Sequence, residues 1–251
     1  MNMIVSPSSG LADIANIHNC SIALERAMSR SHSLPGLVCF YGPSGWGKSI
    51  SAAWVANAQR AHYVQARSTW TRKHTLQAIL QAIGVKPSGT IAEMSEQIAE
   101  DLALSGRPLI IDEMDHLVAH GSVELIRDIY ESSNAAILLI GEEGLPSKLK
   151  RYERFHGRVL SWVQAAPVSM ADARLLSPVY SPNVAIADDL LGHLVKLAHG
   201  SVRRVVVNLC LIQEQALLLG HDQMDHATWS KNRTKESGDL YTGEAPKRRL
   251  Q

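Results

Sequence analysis

The residues with the clearest chemical role are the eight positions from Gly42 to Ser49, which read Gly-Pro-Ser-Gly-Trp-Gly-Lys-Ser. They match the phosphate-loop pattern G-x-x-x-x-G-K-[ST]. The backbone N–H groups of such a loop converge on an anion, and the following helix adds the positive end of its dipole. We therefore expect the loop to bind ATP, with Lys48 on the β- and γ-phosphates and Ser49 on Mg²⁺.

The residues around the loop have the character that this interpretation requires. Leu37–Tyr41 is an apolar run typical of a buried parallel strand, and the alanine-rich stretch from Ile50 to Gln59 favours a helix. A match to the pattern that is flanked by a strand and a helix is much less often accidental than the pattern alone.

A second apolar run, Leu109–Ile111, ends in Asp112 and Glu113. Ligands of open parallel sheets lie at the carboxyl ends of the strands, so Asp112 is expected beside Ser49 in the Mg²⁺ shell. Glu113 is expected to deprotonate the attacking water. The alternative is that the acidic pair caps a helix that starts near Met114. The predicted nucleotide contacts are Gly42, Pro43, Ser44, Gly45, Trp46, Gly47, Lys48, Ser49, Ile50 and Asp112.

Strand and helix patterns alternate along the first two thirds of the chain, which indicates an α/β sheet covered on both faces. Further strands are predicted at 61–66, 135–140 and 158–163, and helices at 75–83, 91–104, 122–132, 188–199 and 201–219. No strand pattern is found after Ala171. We expect an ATPase core over residues 1–166, a helical lid over 167–230 and a basic, mobile tail over 231–251.

Composition excludes several classes of protein. The formal net charge of +1 gives no indication of a nucleic-acid partner, and Cys20, Cys39 and Cys210 are too few and too scattered for a disulfide framework. No signal peptide and no apolar run long enough to span a bilayer are found. These features favour a cytoplasmic protein with reduced thiols and no membrane partner.

The order of these motifs resembles that of the AAA+ ATPases over roughly residues 10–230. The resemblance implies a five-stranded parallel sheet with a helical lid, assembled so that nucleotide lies between subunits. It also implies that Arg203, or the adjacent Arg204, contacts the γ-phosphate from the same subunit. Arg154 or Arg158 would be the arginine finger that reaches the neighbouring subunit's nucleotide. The alternative for these arginines is a solvated basic surface.

The chain departs from this family at one position. After the strand that ends at Ile140, the family places Asn or Thr to position the water, but this chain continues Gly141-Glu142-Glu143-Gly144. If Glu142 occupies that position, an acid lies near the γ-phosphate, which is unfavourable unless the acid is paired. The departure puts fast hydrolysis in doubt but not nucleotide binding.

Within the AAA+ ATPases, the chain is most similar to the phage Mu transposition protein B type. The resemblance lies in the Tyr-Gly-Pro-Ser-Gly form of the loop, the segment Asp-Glu-Met-Asp-His-Leu and a tail reading Tyr-Thr-Gly-Glu-Ala-Pro-Lys-Arg-Arg. It implies a phage- or mobile-element-encoded ATPase of the bacterial cytoplasm that oligomerises on duplex DNA and delivers target DNA to a transposase. A helicase-loader-type replication ATPase and a signalling ATPase remain as alternatives.

One basic cluster follows the second strand, where filament-forming relatives face DNA. Its predicted DNA contacts are Arg67, Thr69, Trp70, Arg72 and Lys73, since cations and hydroxyls bind phosphates and an indole packs on sugar or base. The alternative is a helix N-terminus with solvated basic residues and Trp70 in the core. The basic tail from Lys231 onward is either a second contact for DNA or the transposase, or a solubilising end.

Overall fold

A computed structural model describes residues 12–232 and 240–243 of the 251-residue chain, which divides into two compact units. The core unit comprises Asn16–Ser44 and Lys48–Ala165. The C-terminal unit contains the described residues from Ala166 onward, Gly45–Gly47 and the described residues up to Ala15. The predicted ATPase core over residues 1–166 and lid over 167–230 stay predictions. Of the predicted tail, residues 233–239 and 244–251 lie outside the described residues.

The core unit is built on a parallel sheet. Its five strands are β1 Leu37–Tyr41, β2 His62–Gln65, β3 Leu109–Asp112, β4 Ile137–Gly141 and β5 Val159–Gln164. They lie in the order β2-β3-β4-β1-β5, and all neighbours pair in parallel. This sheet confirms the fold class expected from the sequence. The order also places β4 between β1, which leads into the phosphate loop, and β3, which leads into the acidic pair.

Helices precede and connect these strands. They are α1 Ala15–Met28, α2 Lys48–Ala58, α3 Arg72–Ile83, α4 Ile91–Ser105, α5 Met114–Ala119, α6 Val123–Ser133, α7 Leu145–Leu149 and α8 Glu153–His156. Local chemistry fixes the ends of two of them. The Thr71 side chain accepts the N–H of His74 at the start of α3, and Thr90 and Glu93 form a reciprocal capping box at the start of α4. Helices α1, α7 and α8 were not predicted from the sequence.

The sheet lies in the middle of a continuous apolar core. Residues 37–40 of β1 and 137–140 of β4 are completely buried, as parallel strands covered on both faces require. Side chains from α3, α4 and α6 complete the core on one side of the sheet. A close-packed interior of this kind holds the strand ends in fixed positions.

The C-terminal unit is mainly helical. Its helices are α9 Met170–Tyr180, α10 Asp188–Ala198, α11 Val202–Leu218 and α12 His226–Asn232. A short parallel pair, β6 Ala185–Ile186 and β7 Gln223–Met224, corrects the expectation that no strand follows Ala171. Two-residue strands are too short to produce an alternating pattern, so the sequence gives no sign of them.

Part of the predicted tail packs against α11. The carboxamide of buried Asn208 accepts the N–H of Tyr241 at 2.6 Å and donates to its carbonyl at 3.1 Å, and Leu240 is buried. These contacts give Leu240 and Tyr241 a defined position, while the mobility of the tail as a whole stays a prediction. Among the described helices, none is both long enough and apolar enough to cross a membrane.

Candidate nucleotide site

The predicted phosphate loop connects β1 to α2, and α2 begins at Lys48. Gly45 and Gly47 have φ values of 81° and 87°, a left-handed conformation that glycine adopts without the steric cost of a Cβ. The N–H of Gly42 donates to the carbonyl of Gly141 at 3.3 Å, so the loop starts directly beside the end of β4. The pairing of β1 with β4 thereby brings the loop and Glu142 together.

Lys48 is held by the loop itself. Its Nζ donates to the carbonyl of Gly42 at 2.7 Å and to that of Pro43 at 2.9 Å. Burial lowers the pKa of Lys48, while the carboxylates of Glu113, Asp112, Glu142 and Asp115 oppose that shift. The ammonium therefore lies within electrostatic range of four acidic side chains from the ends of β3 and β4.

Asp112 is buried at the end of β3, with 1% of its surface exposed. Its Oδ2 accepts the hydroxyl of Tyr63 at 2.9 Å, and its Oδ1 accepts the N–H of Glu113 at 2.8 Å. Burial, followed by the charge of Asp112, raises the pKa of Tyr63, so the phenol stays protonated and keeps donating. Tyr63 thus fixes the orientation of the carboxylate expected to hold the metal ion.

Glu113 has an unusual backbone conformation, with φ 56° and ψ 40°. This left-handed conformation is costly for a residue other than glycine, and such strain is concentrated at functional sites. Burial raises the pKa of Glu113, and repulsion from Asp112 adds to the shift. Its side chain makes no capping hydrogen bond to α5, so the structure does not support the capping alternative for this acid.

The end of β4 carries a cluster formed by Asp115, Glu142 and Lys148. Asp115 is buried; its Oδ2 accepts the N–H of Glu142 at 2.7 Å, and its Oδ1 accepts Nζ of Lys148 at 2.6 Å. The same Nζ lies 3.8 Å from the carboxylate of Glu142. A Cβ on Gly141 would overlap Asp115, so only glycine permits this close approach. Lys148 therefore pairs with the acid that the sequence left unexplained.

The two residues predicted to hold a magnesium ion, Ser49 in α2 and Asp112 at the end of β3, have suitable donor chemistry. The hydroxyl of Ser49 and the carboxylate of Asp112 are hard oxygen donors of the kind that Mg²⁺ prefers. Asp112 accepts only two hydrogen bonds although a carboxylate has about four acceptor positions, so it retains lone pairs for a cation. Over residues 12–232 and 240–243, no group of three or more His, Cys, Asp or Glu side chains is arranged to hold a metal ion.

The two candidate arginine fingers differ in their surroundings. Nε of Arg158 donates to Oε1 of Glu131 at 3.0 Å, and Nη2 of Arg158 lies 3.0 Å from the same oxygen in an ion pair. Arg154 is exposed and makes no hydrogen bond or ion pair with any residue that the structure describes. A guanidinium that is already neutralised is less suited to reach a second subunit, so this difference favours Arg154.

Arg203 begins α11 in the C-terminal unit. Its side chain is exposed, and its backbone N–H donates to the carbonyl of Gly45 at 3.0 Å, within the same compact unit. The neighbouring Arg204 is half-buried, and its guanidinium donates to the carbonyl of Ala198 at 3.4 Å. Trp46, also predicted to contact nucleotide, packs its ring against Gly200. Arg203 and Arg204 thus differ in exposure, and the contact of either with the γ-phosphate stays a prediction.

The basic cluster after β2 is largely exposed. Arg67, Thr69, Arg72 and Lys73 are exposed, and Arg72 also donates to the carbonyl of Gly121 at 3.0 Å. Trp70 instead belongs to the buried core, with its ring 5.3 Å from that of His74. A buried indole has no face available for a sugar or base, so Trp70 is removed from the predicted DNA contacts. The core position that the sequence analysis gave as the alternative is the one observed.

These features can be compared with known proteins. Residues 31–149 match the AAA domain family. That segment contains the phosphate loop, the acidic pair of β3 and the end of β4. No curated protein matches the sequence.

Several solved structures share the fold. The chain is similar to Aeropyrum pernix ORC1, solved in complex with DNA, with a TM-score of 0.62 and 20% identity over 90% of this chain and 67% of that one. Cdc6p of Pyrobaculum aerophilum gives a TM-score of 0.60 and 14% identity, over 87% of this chain and 66% of that one. The RuvB Holliday junction branch migration motor of Thermotoga maritima gives a TM-score of 0.58 and 17% identity, over 88% of this chain and 68% of that one. The chain spans about two thirds of the length of these structures.

Three side chains of the site were not predicted from the sequence. Tyr63 lies on β2, and its contact with Asp112 depends on the pairing of β2 with β3. Asp115 and Lys148 are 33 positions apart in the chain and come from α5 and α7. No local sequence pattern predicts such pairs. The one indication in the sequence was the acid directly after β4, because an acid near a phosphate requires a cation beside it.

Proposed function

We propose that this protein binds and hydrolyses ATP at the site formed by the phosphate loop and the ends of β3 and β4. The observation that carries the proposal is the conformation of the phosphate loop, in which Gly45 and Gly47 have positive φ and Nζ of Lys48 donates to the carbonyls of Gly42 and Pro43 at 2.7 and 2.9 Å. A phosphate-loop lysine beside two acids at a strand end combines a cation for the phosphates with an oxygen ligand for a metal and a base for water.

Each residue then has a distinct role in the reaction. Lys48 exchanges its bonds to the loop carbonyls for the β- and γ-phosphates, and Glu113 accepts a proton as water attacks the γ-phosphorus and the bond to the bridging oxygen breaks. Ser49 and Asp112 would hold Mg²⁺, which neutralises charge on the phosphates when it is bound. Tyr63 keeps Asp112 oriented for that role.

We further propose that the protein assembles with itself across the nucleotide. An exposed arginine without an intramolecular partner is free to neutralise the charge that develops on a phosphoryl group of the neighbouring subunit. Arg154 fits this description better than Arg158, whose guanidinium is bound to Glu131. Arg203 would contact the γ-phosphate from the same subunit. Removal of the Arg154 charge should lower hydrolysis in assembled protein only.

The proposed nucleic-acid partner is duplex DNA, bound without regard to sequence. Arg67, Arg72 and Lys73 supply exposed charge after β2, and Thr69 adds a hydroxyl. Two basic residues in the first turn of α3 oppose the helix dipole, so helix stability does not explain their presence. ORC1 of Aeropyrum pernix, which shares the fold, was solved in complex with DNA.

Delivery of target DNA to a transposase is the most specific part of the proposal, and its support is the resemblance to the Mu transposition B-protein type. The second candidate is a helicase-loader-type replication ATPase. The match of residues 31–149 to the AAA domain family is compatible with both candidates.

Two experiments test these proposals. Release of phosphate from Mg²⁺-ATP, with and without duplex DNA, tests the ATPase, and no release in either condition would contradict it. Electron microscopy with ATP and duplex DNA distinguishes the two candidate functions. Filaments formed without any helicase are expected for a target-selection protein, and bare DNA is expected for a loader that needs a protein partner.

A further inference from the structure

The cluster at the end of β4 has a structure that nucleotide binding alone does not require. Asp115 is buried, yet it makes a 2.6 Å ion pair with Lys148, whose side chain is 42% exposed. Removal of water from a carboxylate is costly unless a partner compensates for it. The cluster therefore holds Lys148 in one position rather than leaving its ammonium in solvent.

A continuous path of contacts joins this cluster to the phosphate loop. Lys48 donates to the carbonyl of Gly42, and the N–H of Gly42 donates to the carbonyl of Gly141. The next residue, Glu142, donates its N–H to Asp115, which accepts Nζ of Lys148. The carboxylates of Asp115 and Glu142 thus act on Lys48 and also lie 2.6 Å and 3.8 Å from Nζ of Lys148.

The carboxylates near Lys48 indicate a role for Lys148. Four carboxylates act on Lys48, and among the residues that the structure describes, Lys148 is the cation that lies within ion-pair distance of Asp115 and Glu142. The γ-phosphate of ATP brings additional negative charge to this position, whereas ADP does not. Each carboxylate without a cation beside it therefore weakens the binding of ATP more than the binding of ADP.

We propose that Lys148 is a positioning residue that makes the site prefer nucleoside triphosphate over diphosphate by neutralising Asp115 and Glu142. The lysine stays on Asp115 and acts through the two carboxylates, without contact to the nucleotide. This inference rests on the proposed nucleotide site, and it assigns the preference to a residue outside the phosphate loop and the acidic pair.

Isothermal titration with ATPγS and with ADP, both with Mg²⁺, tests the inference through the ratio of the two dissociation constants. Lys148→Met should weaken ATPγS about fivefold more than ADP, which is the size expected for a partly exposed charge near a phosphate. Glu142→Gln should shift the ratio the other way, and Lys148→Met/Glu142→Gln should recover only part of the loss, because Asp115 still lacks its cation. Lys148→Arg should retain the wild-type ratio, and Glu143→Gln, which removes the adjacent exposed acid, is the matched control.

The outcomes separate the two proposals. If wild-type protein binds neither nucleotide, the proposed site and this inference are both wrong. If wild-type protein binds both and the ratio is the same in Lys148→Met, only the inference is overturned. If thermal melting shows that Lys148→Met does not fold, Glu142→Gln provides the test instead. Its carboxylate is exposed, and an unchanged ratio there overturns the inference equally.

Discussion

The nucleotide site and the basic cluster after β2 are built in opposite ways. In the nucleotide site, buried groups hold one another: Tyr63 orients Asp112, and Asp115 fixes Lys148. In the basic cluster, Arg67 and Lys73 are exposed and only Arg72 is tied to a neighbouring loop. Fixed geometry suits a reaction at one phosphorus atom, while exposed surface charge suits a regular polymer of phosphates. The two regions should therefore respond differently to substitution.

The largest expected effect is on turnover. Glu113→Gln should lower the rate of phosphate release by about a hundredfold or more, because the attacking water loses its base. Affinity for ATP should change little, since Lys48 and the loop are untouched. Wild-type phosphate release in this variant would show that another residue is the base. Glu143→Gln is the matched control and should keep the wild-type rate.

Lys48→Ala should weaken ATP binding by about a hundredfold, because the phosphates lose their main charged hydrogen-bond donor. Calorimetric titration measures this directly. Lys86→Ala removes an exposed lysine elsewhere on the core unit and serves as the control. ATP affinity that is equal in the two variants would remove the basis for the proposed nucleotide site.

The basic cluster should respond to charge rather than to geometry. Arg72→Gln combined with Lys73→Gln should weaken all duplex sequences by about tenfold and lower the slope of log affinity against log salt by about 2. ATP affinity should not change. Arg26→Gln with Lys86→Gln removes the same charge from exposed positions and controls for net charge. If both double variants bind DNA as wild type does, the contacts lie elsewhere, and the tail after Lys231 is the next candidate.

The smallest effect is expected at Tyr63. Tyr63→Phe removes one hydrogen bond to Asp112, and we expect the Mg²⁺ concentration needed for half-maximal hydrolysis to rise about fivefold. A change in DNA affinity at saturating Mg²⁺-ATP, with an unchanged Mg²⁺ requirement, would contradict the separation of the two regions.

The sequence predicted those parts of the site that are continuous in the chain. The phosphate loop, the strands on either side of it and the acidic pair are local patterns with a physical meaning of their own. Tyr63, Asp115 and Lys148 were not predictable, because the sheet order and the packing of α5 and α7 bring them in. The position of Trp70 shows the same limit, since composition alone does not distinguish a core indole from one that faces DNA.

The central claim is that the protein assembles with itself across ATP and binds duplex DNA. It implies that ATP strengthens DNA binding, because assembled subunits contact one duplex with several basic clusters, and one measurement tests this most directly. Fluorescence anisotropy of a labelled duplex of arbitrary sequence is recorded with wild-type protein saturated with ATPγS or with ADP, each with Mg²⁺. We predict that the ATPγS form binds at least about tenfold more tightly, a typical coupling between two sites. Equal affinity in the two nucleotide states, with both nucleotides shown to be bound, would contradict the claim.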